Sequence, residues 1–104
     1  MIFRRARFAS VIERQLDLFE RDHHFVVEEV GECLEAYNKA DRDEAEELYG
    51  DYIDAVETGT EILADIRDAY MRTLEEGIDE EYEREFHRTV AKRLKPFAIG
   101  IETR

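Results

Sequence analysis

An all-α fold follows from three features of this 104-residue chain. Only five glycines and one proline interrupt it, apolar residues recur at three- and four-residue spacing almost throughout, and strand-like alternation occurs once, at Phe97, Ile99 and Ile101. The expected architecture is a long antiparallel helical hairpin, a shorter third helix and an extended C-terminal tail, in one domain spanning 1–104.

The first helix is expected over 5–39, because Ala9, Ile12, Leu16, Phe19, Val26, Val30, Cys33 and Tyr37 form one seam, with His23 filling its single gap. Asn38, Lys39 and Ala40 break the pattern. Asp41 then reads as an N-cap with Glu44 as its capping-box partner, opening a second helix over 41–75. Its seam is Ala45, Tyr49, Tyr52, Val56, Gly59, Leu63, Ile66 and Tyr70, and the intervening turn is too short for anything but an antiparallel return. Gly77 stops that helix and Asp79 caps a third over 79–95, whose buried stripe is Tyr82, Phe86, Val90 and Leu94. Pro96 ends it, leaving a tail over 96–104.

A composition 43% hydrophobic is too apolar for a disordered acidic chain, even with 40% charged residues. Val11, Leu18, Phe25 and Ala36 widen the apolar arc of the first helix to roughly 200°, more than one neighbouring helix covers, so a homodimer forming a helical bundle is expected. The single cysteine excludes an intramolecular disulfide and a cysteine-based zinc site, which favours a reducing, cytoplasmic setting. No apolar run approaches the ~18 residues of a membrane span, and the N-terminus lacks the apolar core of an export signal. The net charge is −12, with 24 acids against 6 bases over residues 13–81 and short basic stretches at either end. An acidic body between basic ends argues against binding duplex nucleic acid, which needs a continuous basic surface.

Glu29 and Glu32, at i and i+3, share one helix face, while Asp51 falls in the stripe Leu48, Ala55, Ile62 and Ala69 with Glu47 one turn before it. Folding the hairpin about Asp41 brings Glu29, Glu32, Glu47 and Asp51 to similar heights on adjacent helices. The helix is expected to run unbroken through Gly50, turning Asp51 toward the two glutamates. Converging carboxylates repel unless a cation neutralises them. Oxygen-only donors without paired histidines suit Mg²⁺ or Mn²⁺. With 27 acids in the chain, the same residues also read as a solvated face.

The run FVVEEVGECLEA, a short turn and the run EAEELYGDYIDAV resemble the MazG-like, all-α nucleoside triphosphate pyrophosphohydrolases, whose signature is EExxE followed by ExxD on the next helix. The resemblance covers residues 25–97, since GIDEEYEREFHRTVAKRLKPF is similar to that family's closing helix. It implies that Glu29, Glu32 and Asp51 hold Mg²⁺, that Glu28 or Glu47 orients water, and that Lys92 and Arg93 meet the phosphates of a nucleoside triphosphate as it is split into monophosphate and pyrophosphate. Three residues separate Glu47 from Asp51 where the family has two, and His87 and Thr89 stand where it has Asn and Lys. The alternative expectation is a non-enzymatic, self-associating acidic helical interaction module.

Overall fold

The computed structural model describes residues 6–104, and among these the chain is all-helical with no strand. The start of the expected first helix at residue 5 lies outside the described residues. Helix α1 spans Ala9–Asp22 and α2 spans His24–Lys39; α3 spans Ala45–Met71, α4 spans Ile78–Arg93, and after a 3₁₀ turn at Lys95–Phe97 comes the short α5, Ala98–Glu102.

The expected single helix over 5–39 is therefore two helices, broken at His23, whose backbone (φ −126°, ψ 32°) leaves the helical region. The seam runs through the break without a gap, yet its two halves serve different neighbours. In α1, Ile12, Leu16 and Phe19 are buried and the helix lies against α4; in α2, Val26 and Val30 are buried and the helix lies against α3. One non-helical residue re-aims the seam between these partners. The His23 N–H donates to the Phe19 carbonyl at 2.9 Å, closing α1, and the His23 ring rests against Phe19 with centroids 5.7 Å apart.

Asp41 is not the N-cap of α3, a place Glu44 takes with no side-chain cap bond, but Asp41 closes the turn before it. Its carboxylate accepts the Glu44 N–H at 3.1 Å, closing a turn ahead of α3, and the helix proper begins at Ala45. Glu46 and Glu47 then occupy the first turn, where negative charge meets the positive end of the helix dipole. At the start of α4, Gly77 adopts φ 92°, a backbone only glycine enters cheaply. Asp79 sits inside the first turn of α4 rather than before it, and its carboxylate accepts the N–H groups of Gly77 at 3.0 Å and Glu80 at 2.8 Å.

The tail expected to be extended is helical instead. Phe97 and Ile101, four residues apart, are 1% and 0% exposed, whereas Ile99 is 81% exposed. A strand would have put all three on one face; a helix turns Ile99 through about 200° and leaves the other pair together. Pro96 falls in the first turn of the 3₁₀ segment, where a missing N–H costs nothing. Close approach fixes this tail on α3. A Cβ on Gly59 would collide with the Phe97 ring, and one on Gly100 would meet Thr60 at 3.1 Å.

The core gathers α1, α4, α5 and the second half of α3 around Phe8, Ile12, Leu16, Phe19, Leu63, Tyr82, Phe86, Val90, Phe97 and Ile101. Its aromatic rings stand edge-on or tilted: Phe8 to Tyr82 at 5.4 Å, Tyr70 to Tyr82 at 4.7 Å and Phe19 to Phe97 at 6.0 Å. Each such ring removed from water stabilises the fold by about 1.5–3 kcal/mol. Burial pushes the Tyr82 hydroxyl up, well away from ionisation, and it donates to the Gln15 side chain at 2.8 Å. Leu18, one of the residues that widened the apolar arc, is half-buried and lines a groove with Ile66 of α3.

Val30 of α2 and Ala55 of α3 reach this core, and beyond them α2 and the first half of α3 lie against each other with no deep interior. From residue 31 to residue 54 no side chain is buried. Tyr37 and Tyr49 meet with ring centroids 5.3 Å apart, and Tyr49 in turn meets Tyr52 at 6.4 Å. Among the described residues, no helix is long and apolar enough to cross a membrane.

Candidate functional site

Of the four acids singled out by spacing, Glu29 and Asp51 border one groove between α2 and α3. It encloses about 310 Å³ and is lined by Glu29 and Cys33 from α2 and by Asp51, Asp54, Ala55 and Thr58 from α3. The helix is unbroken through Gly50, so Asp51 keeps the i, i+4 relation to Glu47 and faces the same groove as Glu29. Asp54 joins them. Glu32 stands at the edge, near enough to act electrostatically on Cys33.

Cys33 reports the local potential. Partial burial pushes its thiol up, and the charges of Glu29, Asp51 and Glu32 push it further the same way. A thiol shifted this way is a weaker nucleophile, and Cys33 forms part of the groove wall.

Whether these residues fit a cation depends on how closely the carboxylates converge. Among the described residues no group of three His, Cys, Asp or Glu side chains stands close enough to hold a metal ion. Glu29, Glu32, Asp51 and Asp54 are all exposed, and exposed like charges lower their repulsion by spreading into solvent. As they stand, Glu29 and Asp51 share a groove with Glu32 at its edge, and the three do not form a cage for Mg²⁺ or Mn²⁺. Glu28 and Glu47 are exposed and are not among the residues lining the groove.

The two expected phosphate-binding bases lie elsewhere. Arg93 ties the end of α4 to α1: its guanidinium donates to Asp17 at 2.9 Å, to Glu20 at 3.2 Å and to the Glu13 carbonyl at 3.4 Å. Lys92 borders a small groove of about 140 Å³ with Ala6, Ala9, Glu85, Arg88 and Thr89. Neither base lines the acidic groove.

Spacing did not reveal the polar cluster in the core. Arg67, 2% exposed on α3, donates from Nη1 to His87 Nε2 at 2.9 Å and to the Ile101 carbonyl at 2.9 Å, and from Nε to Asp68 at 2.8 Å. Glu85 of α4, also buried, accepts the Phe8 N–H at 3.0 Å. One signal for Arg67 is present in the sequence: it is the single base between residues 43 and 71, four residues after Leu63 on an apolar stripe. A scan against protein-family models and searches of curated proteins and of solved structures found no match for this chain.

Proposed function

We propose that the protein is a self-associating helical interaction module in which α2 and α3 form an antiparallel hairpin, two of which pack into a four-helix bundle. The observation that carries this reading is the separation of charge across the α2–α3 pair. Glu29, Cys33, Asp51, Asp54 and Thr58 share one side of it. At about 100° per residue, the opposite side carries Val27, Gly31, Leu34 and Asn38 from α2 and Tyr49, Ile53 and Val56 from α3. None of these seven positions is charged, in a chain where 40% of residues are, and the ion pair bordering Ile53 and Val56, Glu57 with Arg104 at 3.2 Å, is balanced.

Exposure supports the same side as the contact. Leu34, Tyr49 and Ile53 are 37%, 50% and 42% exposed. A Cβ on Gly31 would meet nothing within 4 Å, so contacts within the chain give no reason for a mid-helix glycine that costs about 1 kcal/mol against alanine. Close approach of a second helix supplies one. Charge selects the partner: a second copy brings the same acids, and two such acidic hairpins approach at least cost through their apolar sides, the self-complementary contact of a two-fold dimer.

The acidic groove favours a second reading, a MazG-like, metal-dependent nucleoside triphosphate pyrophosphohydrolase in which nucleotide binding draws the splayed carboxylates together around Mg²⁺. Sedimentation equilibrium at micromolar concentration, combined with a melting curve in millimolar Mg²⁺ or Mn²⁺ and a pyrophosphate-release assay over several nucleoside triphosphates, separates the two. Self-association with no metal-dependent rise in Tm and no pyrophosphate release is the expected result. A rise in Tm that disappears in the double variant Glu29→Gln with Glu32→Gln, accompanied by pyrophosphate release, establishes the second reading. A monomer at tens of micromolar overturns the first.

A further inference from the structure

We propose that Arg67, His87 and Ile101 form a proton-operated latch: neutral His87 holds the Arg67 guanidinium, the guanidinium holds the backbone of α5, and protonation of His87 releases α5 from α3 and α4. The geometry requires a particular tautomer. Arg67 has only donors, so at 2.9 Å the His87 Nε2 must be an acceptor, with the ring proton on Nδ1. The same Nη1 donates to the Ile101 carbonyl at 2.9 Å, and Arg67 is 2% exposed. A proton added to Nε2 removes the acceptor and sets a half-buried cation against the buried Arg67 guanidinium.

The charged groups facing His87 come from three helices: Arg67 and Asp68 on α3, Glu83 one turn earlier on α4, and Glu102 on α5. The three acids favour the imidazolium, but burial and Arg67 outweigh them and hold His87 below its ordinary range. Closed, the latch therefore binds fewer protons than when open. Its contribution to stability is fully present above the ordinary histidine pKa of about 6.5 and is lost as the pH falls below it.

What the latch holds is small and closely fitted. α5 has five residues, and its seat depends on Phe97 and Ile101 in the core and on the approach of Gly100 to Thr60. A helix this short does not persist alone in water. Once the guanidinium reorients away from His87, the Ile101 carbonyl loses the one polar tie that links α5 to Arg67.

Amide exchange on the intact chain, with residues 98–103 compared against Val90 in the core, reads this directly. Opening of α5 should rise by up to tenfold per pH unit below about 6.5 while Val90 stays protected. His87→Gln, which keeps an acceptor but does not titrate, should hold α5 protected to pH 5. Nitrogen chemical shifts of the wild-type imidazole supply a readout that needs no variant: at pH 7.5 Nε2 should be unprotonated. Three results overturn the latch: protection of α5 that does not change between pH 7.5 and 5, the same loss in His87→Gln, or a proton on Nε2 at neutral pH.

Discussion

Phe97→Ala should destabilise the protein by about 3–5 kcal/mol, the range for truncating a fully buried phenylalanine. Phe97 is 1% exposed, its ring stands edge-on to Phe19 of α1 at 6.0 Å, and it lies so close over Gly59 of α3 that no Cβ fits there. It therefore joins three helices. The cavity left by alanine cannot collapse easily, because Gly59 has no side chain to fill it and Ile101 is already committed to the same core. For a domain of this size each kcal/mol shifts Tm by roughly 4–8 °C, so a fall of about 12 °C or more is expected in thermal unfolding. Ile99→Ala, two residues away and 81% exposed, should change stability by less than about 0.5 kcal/mol. Equal costs at the two positions would show that the C-terminal segment does not pack as α5.

Leu34→Glu and Ile53→Glu should each weaken self-association about thirtyfold, the equivalent of losing a 2 kcal/mol hot spot, and together by several hundredfold. Both residues lie on the apolar side of the α2–α3 pair, and both are already partly exposed, at 37% and 42%. A glutamate at either position costs little in the single chain. In a two-fold contact each substitution appears twice, placing like charges where water is excluded. Phe25→Glu is the informative comparison. Phe25 is 60% exposed but lies on the acidic side of α2, so its substitution should leave the association constant within a few fold of wild type. Circular dichroism of all three variants should retain the wild-type helix signal, and sedimentation then reads association alone.

The sequence revealed helices more readily than it revealed what they pack against. The periodic seam from Ala9 to Tyr37 correctly marks helix on both sides of His23, but a seam records only that a face is apolar, and α1 and α2 turn that face to different neighbours. The caps behaved similarly. Asp41 and Asp79 make the backbone hydrogen bonds their side chains allow, one turn before the helix and one residue inside it. Phe97, Ile99 and Ile101 fit a strand and a helix equally well on paper. Burial of the i, i+4 pair against Gly59 and Thr60 decided for helix, and that contact is tertiary.

The acids tell the same story at the site. Helical phase brought Glu29 and Asp51 to one groove, because position along two packed helices is local information. How far apart their carboxylates settle is not, since solvent and repulsion govern exposed side chains. Lys92 and Arg93 belonged to the expected site through resemblance alone, and Arg93 is instead bound to Asp17 and Glu20. The Arg67 cluster was hidden for the opposite reason: a buried arginine is supported by partners 20 and 34 residues away, which no local pattern contains.

The claim that a second copy covers the apolar side of α2 and α3 is tested most directly by an isotope-filtered NOE measurement on a one-to-one mixture of labelled and unlabelled chains. Intermolecular contacts should appear at the methyl groups of Leu34, Ile53 and Val56 and be absent from Phe25 and from the residues around Cys33. A dimer whose intermolecular contacts fall on the Glu29 and Asp51 side, or a sample with none at millimolar concentration, would contradict the account.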